Sequence, residues 1–78
     1  MKLAELIKDK DYDNISFYAR VPQLPPDDSL FMGVCKSVNG ELISLDGDNY
    51  SDQVEVLEYE EWNNPELNVR HGLSVIVR

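Results

Sequence analysis

Fifteen acids against seven bases leave this 78-residue chain at a net charge of −8. That sign excludes direct nucleic-acid binding by phosphate neutralisation, which needs a basic surface. One cysteine excludes an internal disulfide, and no apolar run approaches the roughly 20 residues that span a bilayer.

The length predicts a single small domain over 1–78, near the lower limit for folding without a disulfide or metal. The 42% apolar content is enough for a core and speaks against general disorder. The opening MKLAELIKDKDYD has a broken apolar stretch and no small-residue cleavage site, so a signal peptide is not expected. Together with the lone cysteine this makes the cytoplasm the expected location.

Residues 2–8 (KLAELIK) are good helix formers with Leu3, Leu6 and Ile7 at helical spacing. So short a helix must dock by that stripe, and its mixed charges fit a sheet better than a membrane surface. After a charged connector, Ile15, Phe17, Ala19 and Val21 alternate with Ser16, Tyr18 and Arg20, the period of a half-buried strand. Pro22, Pro25 and Pro26 then mark an inter-strand loop. Its Pro22-Gln23-Leu24-Pro25 matches a polyproline recognition spacing once, a weak signal.

From Leu30 to Leu45 two apolar runs flank Asn39-Gly40, the strongest short-range hairpin signal. A type I′ turn there sets Val38 opposite Glu41, Lys36 opposite Ile43 and Val34 opposite Leu45. Met32, Val34, Ile43 and Leu45 then share one face, and Phe31, Cys35 and Leu42 the other. Apolar groups on both faces place the hairpin near the middle of a sheet. Asp46 to Asp52 form a carboxylate-dense turn. Its calcium-loop likeness fails at Ser51 and Leu57, where Gly and Glu would be required.

Residues 53–62 (QVEVLEYEEW) read two ways. As a helix, Asp52 and Glu55 make a capping box. As a strand, Val54 and Val56 point one way and Leu57 and Tyr59 the other, which needs a bulge; β-branched and aromatic content favours the strand. Trp62 covers an edge of the core or anchors a partner. Asn63-Asn64-Pro65 ends the element, and LSVIV (73–77) is the last strand. The expected fold is α+β: a short N-terminal helix packed on a bent antiparallel sheet of about five strands, with closure into a small barrel left open.

The chemical motifs are few. His71 is the single histidine and Cys35 the single cysteine, which leaves zinc without ligands. Cys35 lies in an apolar strand, the setting of an inert thiol. Phosphate-binding and metalloprotease motifs are missing. The expectation is a non-enzymatic chain with no catalytic, cofactor-binding or metal-binding residues.

Charge distribution is the remaining signal. Between Ser37 and Val69 nine acids occur without one Lys or Arg. The candidate partner-binding residues are Asp46, Asp48, Asp52, Glu58, Glu60, Glu61 and Trp62, set to meet a protein with a basic surface. The succession Asp11-Tyr12-Asp13, Gly33 to Ser37, Asn39 to Asp48, Tyr50-Ser51, Tyr59 to Trp62 and Gly72 to Val75 resembles a group of short acidic proteins encoded in phages and conjugative elements of Gram-positive gut bacteria. The resemblance implies a mobile-element context in a host cytoplasm. It carries no functional residue with it. The resulting expectation is an accessory protein that binds a host or element protein, in its sharper form an acidic inhibitor imitating nucleic acid. The alternatives are a small-molecule (nucleotide) sponge or sensor, or a homo-oligomeric assembly subunit.

Overall fold

The computed structural model describes residues 1–20, 29–47 and 49–77. They form α1 (Leu3–Ile7), β1 (Tyr12–Ala19), β2 (Leu30–Val38), β3 (Glu41–Ser44), β4 (Val56–Asn64), a 3-10 turn (Pro65–Leu67) and β5 (Val69–Val77). The Pro22-Gln23-Leu24-Pro25 spacing and Asp48 lie outside the described residues.

The strands make one five-stranded mixed sheet in the order β3-β2-β1-β5-β4. Three neighbouring pairs are antiparallel, but the central pair, β1 with β5, is parallel from Asn14↔Gly72 to Ala19↔Val77. The expected all-antiparallel sheet is therefore corrected. The sheet is also open, with β3 and β4 as its two edges, so it is not a closed barrel. Turn chemistry in a sequence reports hairpins between consecutive strands; a parallel pairing between the first strand and the last leaves no local mark.

The Asn39-Gly40 hairpin forms with the expected turn. Both residues take positive φ, 53° and 79°, as a type I′ turn requires. Val38 faces Glu41 and Lys36 faces Ile43, and Leu45 N–H still donates to the Val34 carbonyl at 3.1 Å. The hairpin's position differs from expectation: it forms one edge of the sheet, and β1 and β5 occupy the middle.

Register shifts then decide which side chains share a face. Between Phe17↔Gly33 and Tyr18↔Phe31 the β2 strand carries one extra residue, Met32. This moves Phe31 away from the Cys35 face, where strict alternation puts it, and onto the face of Tyr18, whose ring it meets edge-on at 5.5 Å. In β4 the extra residue is Leu57, between Val56↔Val77 and Glu58↔Ile76. That is the bulge the strand reading of 53–62 required, although the strand begins only at Val56 and residues 53–55 form a turn and an isolated bridge. It keeps Val56 on the buried side while turning Glu58 to the opposite side.

The buried side is covered by α1 and by residues 50–55 of the connection that precedes β4. Leu3 and Ile7, one helical turn apart, are fully buried with Ile15, Cys35, Leu73 and Val75, and Phe17 is buried beside them; each fully buried aliphatic side chain stabilises by about 1.5–3 kcal/mol. Lys2 offers α1 no side-chain cap. The connection does the capping, since Leu3 and Ala4 N–H donate to the Val54 and Asp52 carbonyls at 3.1 and 2.8 Å. It also lays Tyr50 flat on Phe17, with centroids 4.9 Å apart and planes at 10°. The Tyr50 hydroxyl rests where a side chain at Gly33 would stand.

Candidate functional site

The register assigns each candidate residue to a face. Glu58 and Glu60 stand opposite Ile76 and Ser74, and Trp62 opposite Gly72, on the face away from α1. Tyr18, Ser16 and Asn14 of β1 share that face through the same β5 residues. The Trp62 indole lies directly over Gly72; a Cβ there would come within 2.5 Å of two ring carbons. Its Nε1 is shielded from solvent and meets no acceptor among the described residues.

The structure thus brings together Glu58, Glu60 and Trp62, and it separates the other candidates from them. Glu61 faces the opposite side, across from Leu73, where it accepts from the Tyr12 hydroxyl at 2.5 Å and from Lys10 Nζ at 3.2 Å. Asp46 follows β3 at the far edge of the sheet. Its carboxylate accepts from Val34 N–H, Ser44 Oγ and Tyr50 OH at 3.1, 3.0 and 2.7 Å. That is the work of a loop anchor. Asp52, half-buried, lies in the turn that caps α1.

The base-free half of the sequence does not stay base-free in space. The Met1 amine pairs with Glu55 at 2.8 Å, Lys10 with Glu61 at 3.2 Å and Arg20 with Glu58 at 2.6 Å. Each cation comes from the first twenty residues. All three pairs are substantially exposed, so each is worth at most about 1 kcal/mol. Among the described residues of β4, Glu60 is the acid with no ion pair.

Between β4 and β1 the open face holds a shallow cleft of about 420 Å³, lined by Tyr18, Glu58, Tyr59, Glu60, Ser74 and Ile76. Tyr18, Ser74 and Ile76 were not among the sequence candidates. Tyr18 fell in the polar phase of the β1 alternation, and an aromatic ring in that phase was the one available signal. Knowing that Ile76 lies beside it requires the parallel β1–β5 pairing.

The perturbed ionisations lie elsewhere. Hydrogen bonds from Tyr12 and then Lys10 hold the Glu61 carboxyl below its usual range, while burial, with Glu61 adding to it, pushes the Tyr12 phenol well above its own. Asp13 is lowered by the backbone N–H groups of Arg70 and His71, which donate to it at 3.0 and 3.2 Å. Burial first, and the Asp46 charge second, push the Cys35 thiol up to about 11. His71 is exposed while Cys35 is sealed in the core, so the two do not form a nucleophile–base pair. Among the described residues no group of three His, Cys, Asp or Glu side chains is placed to hold a metal, and no helix is long and apolar enough to cross a membrane. Comparison with protein-family models, curated proteins and solved structures finds no match to this chain.

Proposed function

We propose that this chain is a non-enzymatic accessory protein of a mobile element, acting in the host cytoplasm by binding a host or element protein with a basic surface. The observation that carries the reading is the shared face of Glu58, Glu60, Trp62, Tyr18 and Ile76. Aromatic and aliphatic groups beside carboxylates form an interface composition: apolar contact supplies affinity, and the charge selects the partner and speeds encounter. The mobile-element context rests on the resemblance of the Asn39–Asp48 run and its flanking segments.

Imitation of nucleic-acid phosphate draws less support. A mimic needs a continuous array of bare carboxylates, but Arg20 and Lys10 engage Glu58 and Glu61, and Asp46 lies at the other edge of the sheet. The open cleft also gives little support to a nucleotide sponge, because an enclosing wall is needed to bury most of a small ligand.

The test begins with affinity capture from the native host and identification of the bound protein, followed by titration of the purified pair. Affinity should fall steeply between about 50 and about 300 mM salt. Tyr18→Ala with Ile76→Ala should weaken it by about tenfold or more. A captured protein indifferent to salt and to that double substitution would sink the reading.

A further inference from the structure

The chain itself begins a sixth strand on the outer edge of β4. Met1–Leu3 run antiparallel to residues 54–56: Leu3 N–H donates to the Val54 carbonyl at 3.1 Å, and Val56 N–H donates to the Met1 carbonyl at 2.7 Å. Lys2 bridges Glu55 between them, and the Met1 amine closes on the Glu55 carboxylate at 2.8 Å. A short cationic, extended segment is thus laid against the acidic lead-in of β4. It stops there because the chain turns into α1 at Leu3.

Beyond that point β4 continues to Asn64 with β5 on one side and no strand on the other among the described residues. Such an edge presents unpaired backbone donors and acceptors, a template for one more strand. Its side chains decide what can use it. In a second copy of this chain, β4 against β4 would set Glu58, Glu60 and Glu61 beside their own duplicates, and like charges across a strand pair are destabilising. The opposite charge is favoured. Arg20 already seats its guanidinium 2.6 Å from Glu58 at the cleft, whereas Glu60, two residues further on the same face, has no ion pair among the described residues. Tyr18 and Ile76, on the same face as Glu58 and Glu60, add aromatic and apolar surface of the kind that receives a Lys or Arg stem and head.

We infer that the outer edge of β4 from Glu58 to Trp62 takes an extended segment of a partner protein as a sixth strand, with Lys or Arg at alternate positions and one such side chain beside Glu60. The inference rests on the protein-binding function proposed above and names the occupant of that face.

The probe is the synthetic peptide Lys-Val-Lys-Val-Lys-Val-Lys, compared with the same peptide N-methylated at alternate residues. Methylation keeps every charge and removes the backbone donors that a strand pairing needs. The unmodified peptide should slow amide hydrogen exchange along β4 and bind about tenfold or more tightly than its methylated form. Glu60→Lys should abolish binding while leaving the urea midpoint of the free domain close to its original value. Equal binding of the two peptides, with loss in Glu60→Lys, overturns the strand pairing and leaves the acidic-face reading standing. If neither peptide binds at about 50 mM salt, the inference is overturned; a host partner that still depends on Tyr18 and Ile76 would then keep the proposed function alone. Slowed exchange confined to β3 would also overturn it, by placing the occupant on the other edge.

Discussion

The two faces of the sheet are built from the same strands but differ in what covers them. On the α1 side, Ile15, Phe17, Cys35, Leu73 and Val75 are buried beneath the helix and residues 50–55. On the other side, Phe31 stays 56% exposed and Tyr18, Val34 and Ile76 are only half-buried. Alternation along a strand supplies apolar residues to both faces, but only one face receives a covering element among the described residues. The covered face holds the buried apolar core, and the open face, with carboxylates at its β4 margin, is the one the proposed partner would use.

Thiol labelling is expected to separate the faces most widely. Cys35 should react with a water-soluble disulfide reagent about a thousandfold more slowly than a cysteine introduced on the open face by Ser74→Cys, because the core thiol waits for an opening event. Prompt native labelling of Cys35, at a rate near that of the denatured chain, would break the comparison.

Core truncation comes next. Leu73→Ala should cost about 2–5 kcal/mol by urea denaturation, a large share of a small domain's stability. Ile76→Ala, three residues along the same strand but on the open face, should cost about 1 kcal/mol or less. Equal losses would mean that the open face is packed as tightly as the other.

A smaller effect tests the hairpin that both faces share. Gly40 has φ 79°, so Gly40→Val forces a β-branched residue into a left-handed conformation and should cost about 1–2 kcal/mol. An unchanged urea midpoint would remove the turn as the device that sets the β2–β3 register.

Acid should act through Asp13, which ties β1 to the backbone of β5, and Glu61, which ties β4 to Tyr12 and Lys10. Both have folded pKa values below their unfolded ones. Their contribution is therefore full above the ordinary carboxylate range, about pH 4, and is lost as pH falls through the lowered values. Asp13→Asn should flatten that acid limb. Tyr12 runs the other way: its raised pKa makes stability fall as pH rises above about 10. A variant whose acid limb keeps the original slope would show that the Arg70 and His71 amides do not hold the carboxylate in solution.

The smallest effects belong to the acidic margin. From the sequence alone, neutralising Glu58, Glu60 and Glu61 together is expected to leave the free domain unchanged or stabilised, since like charges repel. The structure confines that expectation to Glu60. Glu61 receives the Tyr12 hydroxyl and Lys10, and Glu58 receives Arg20. Glu60→Gln should thus be neutral or slightly stabilising, and Arg20→Gln should cost no more than about 1 kcal/mol.

How much was legible follows from the range of each interaction. The Asn39-Gly40 turn, the strand character of 56–62 with its required bulge, the docking stripe of Leu3 and Ile7 and the buried Cys35 are all written locally. Backbone conformation at a turn and alternation along a strand depend on neighbours a few residues away. The sequence by itself therefore determined the α+β class, the hairpin register and an acidic second half. Tertiary structure alone decided the parallel β1–β5 centre, which joins residues nearly sixty positions apart. It alone returned Met1, Lys10 and Arg20 to the acids from which they are segregated along the chain. It alone placed Tyr18 and Ile76 beside Glu58 and Glu60, through the parallel β1–β5 pairing and the register shift at Leu57, since a one-residue slip reverses every side chain beyond it.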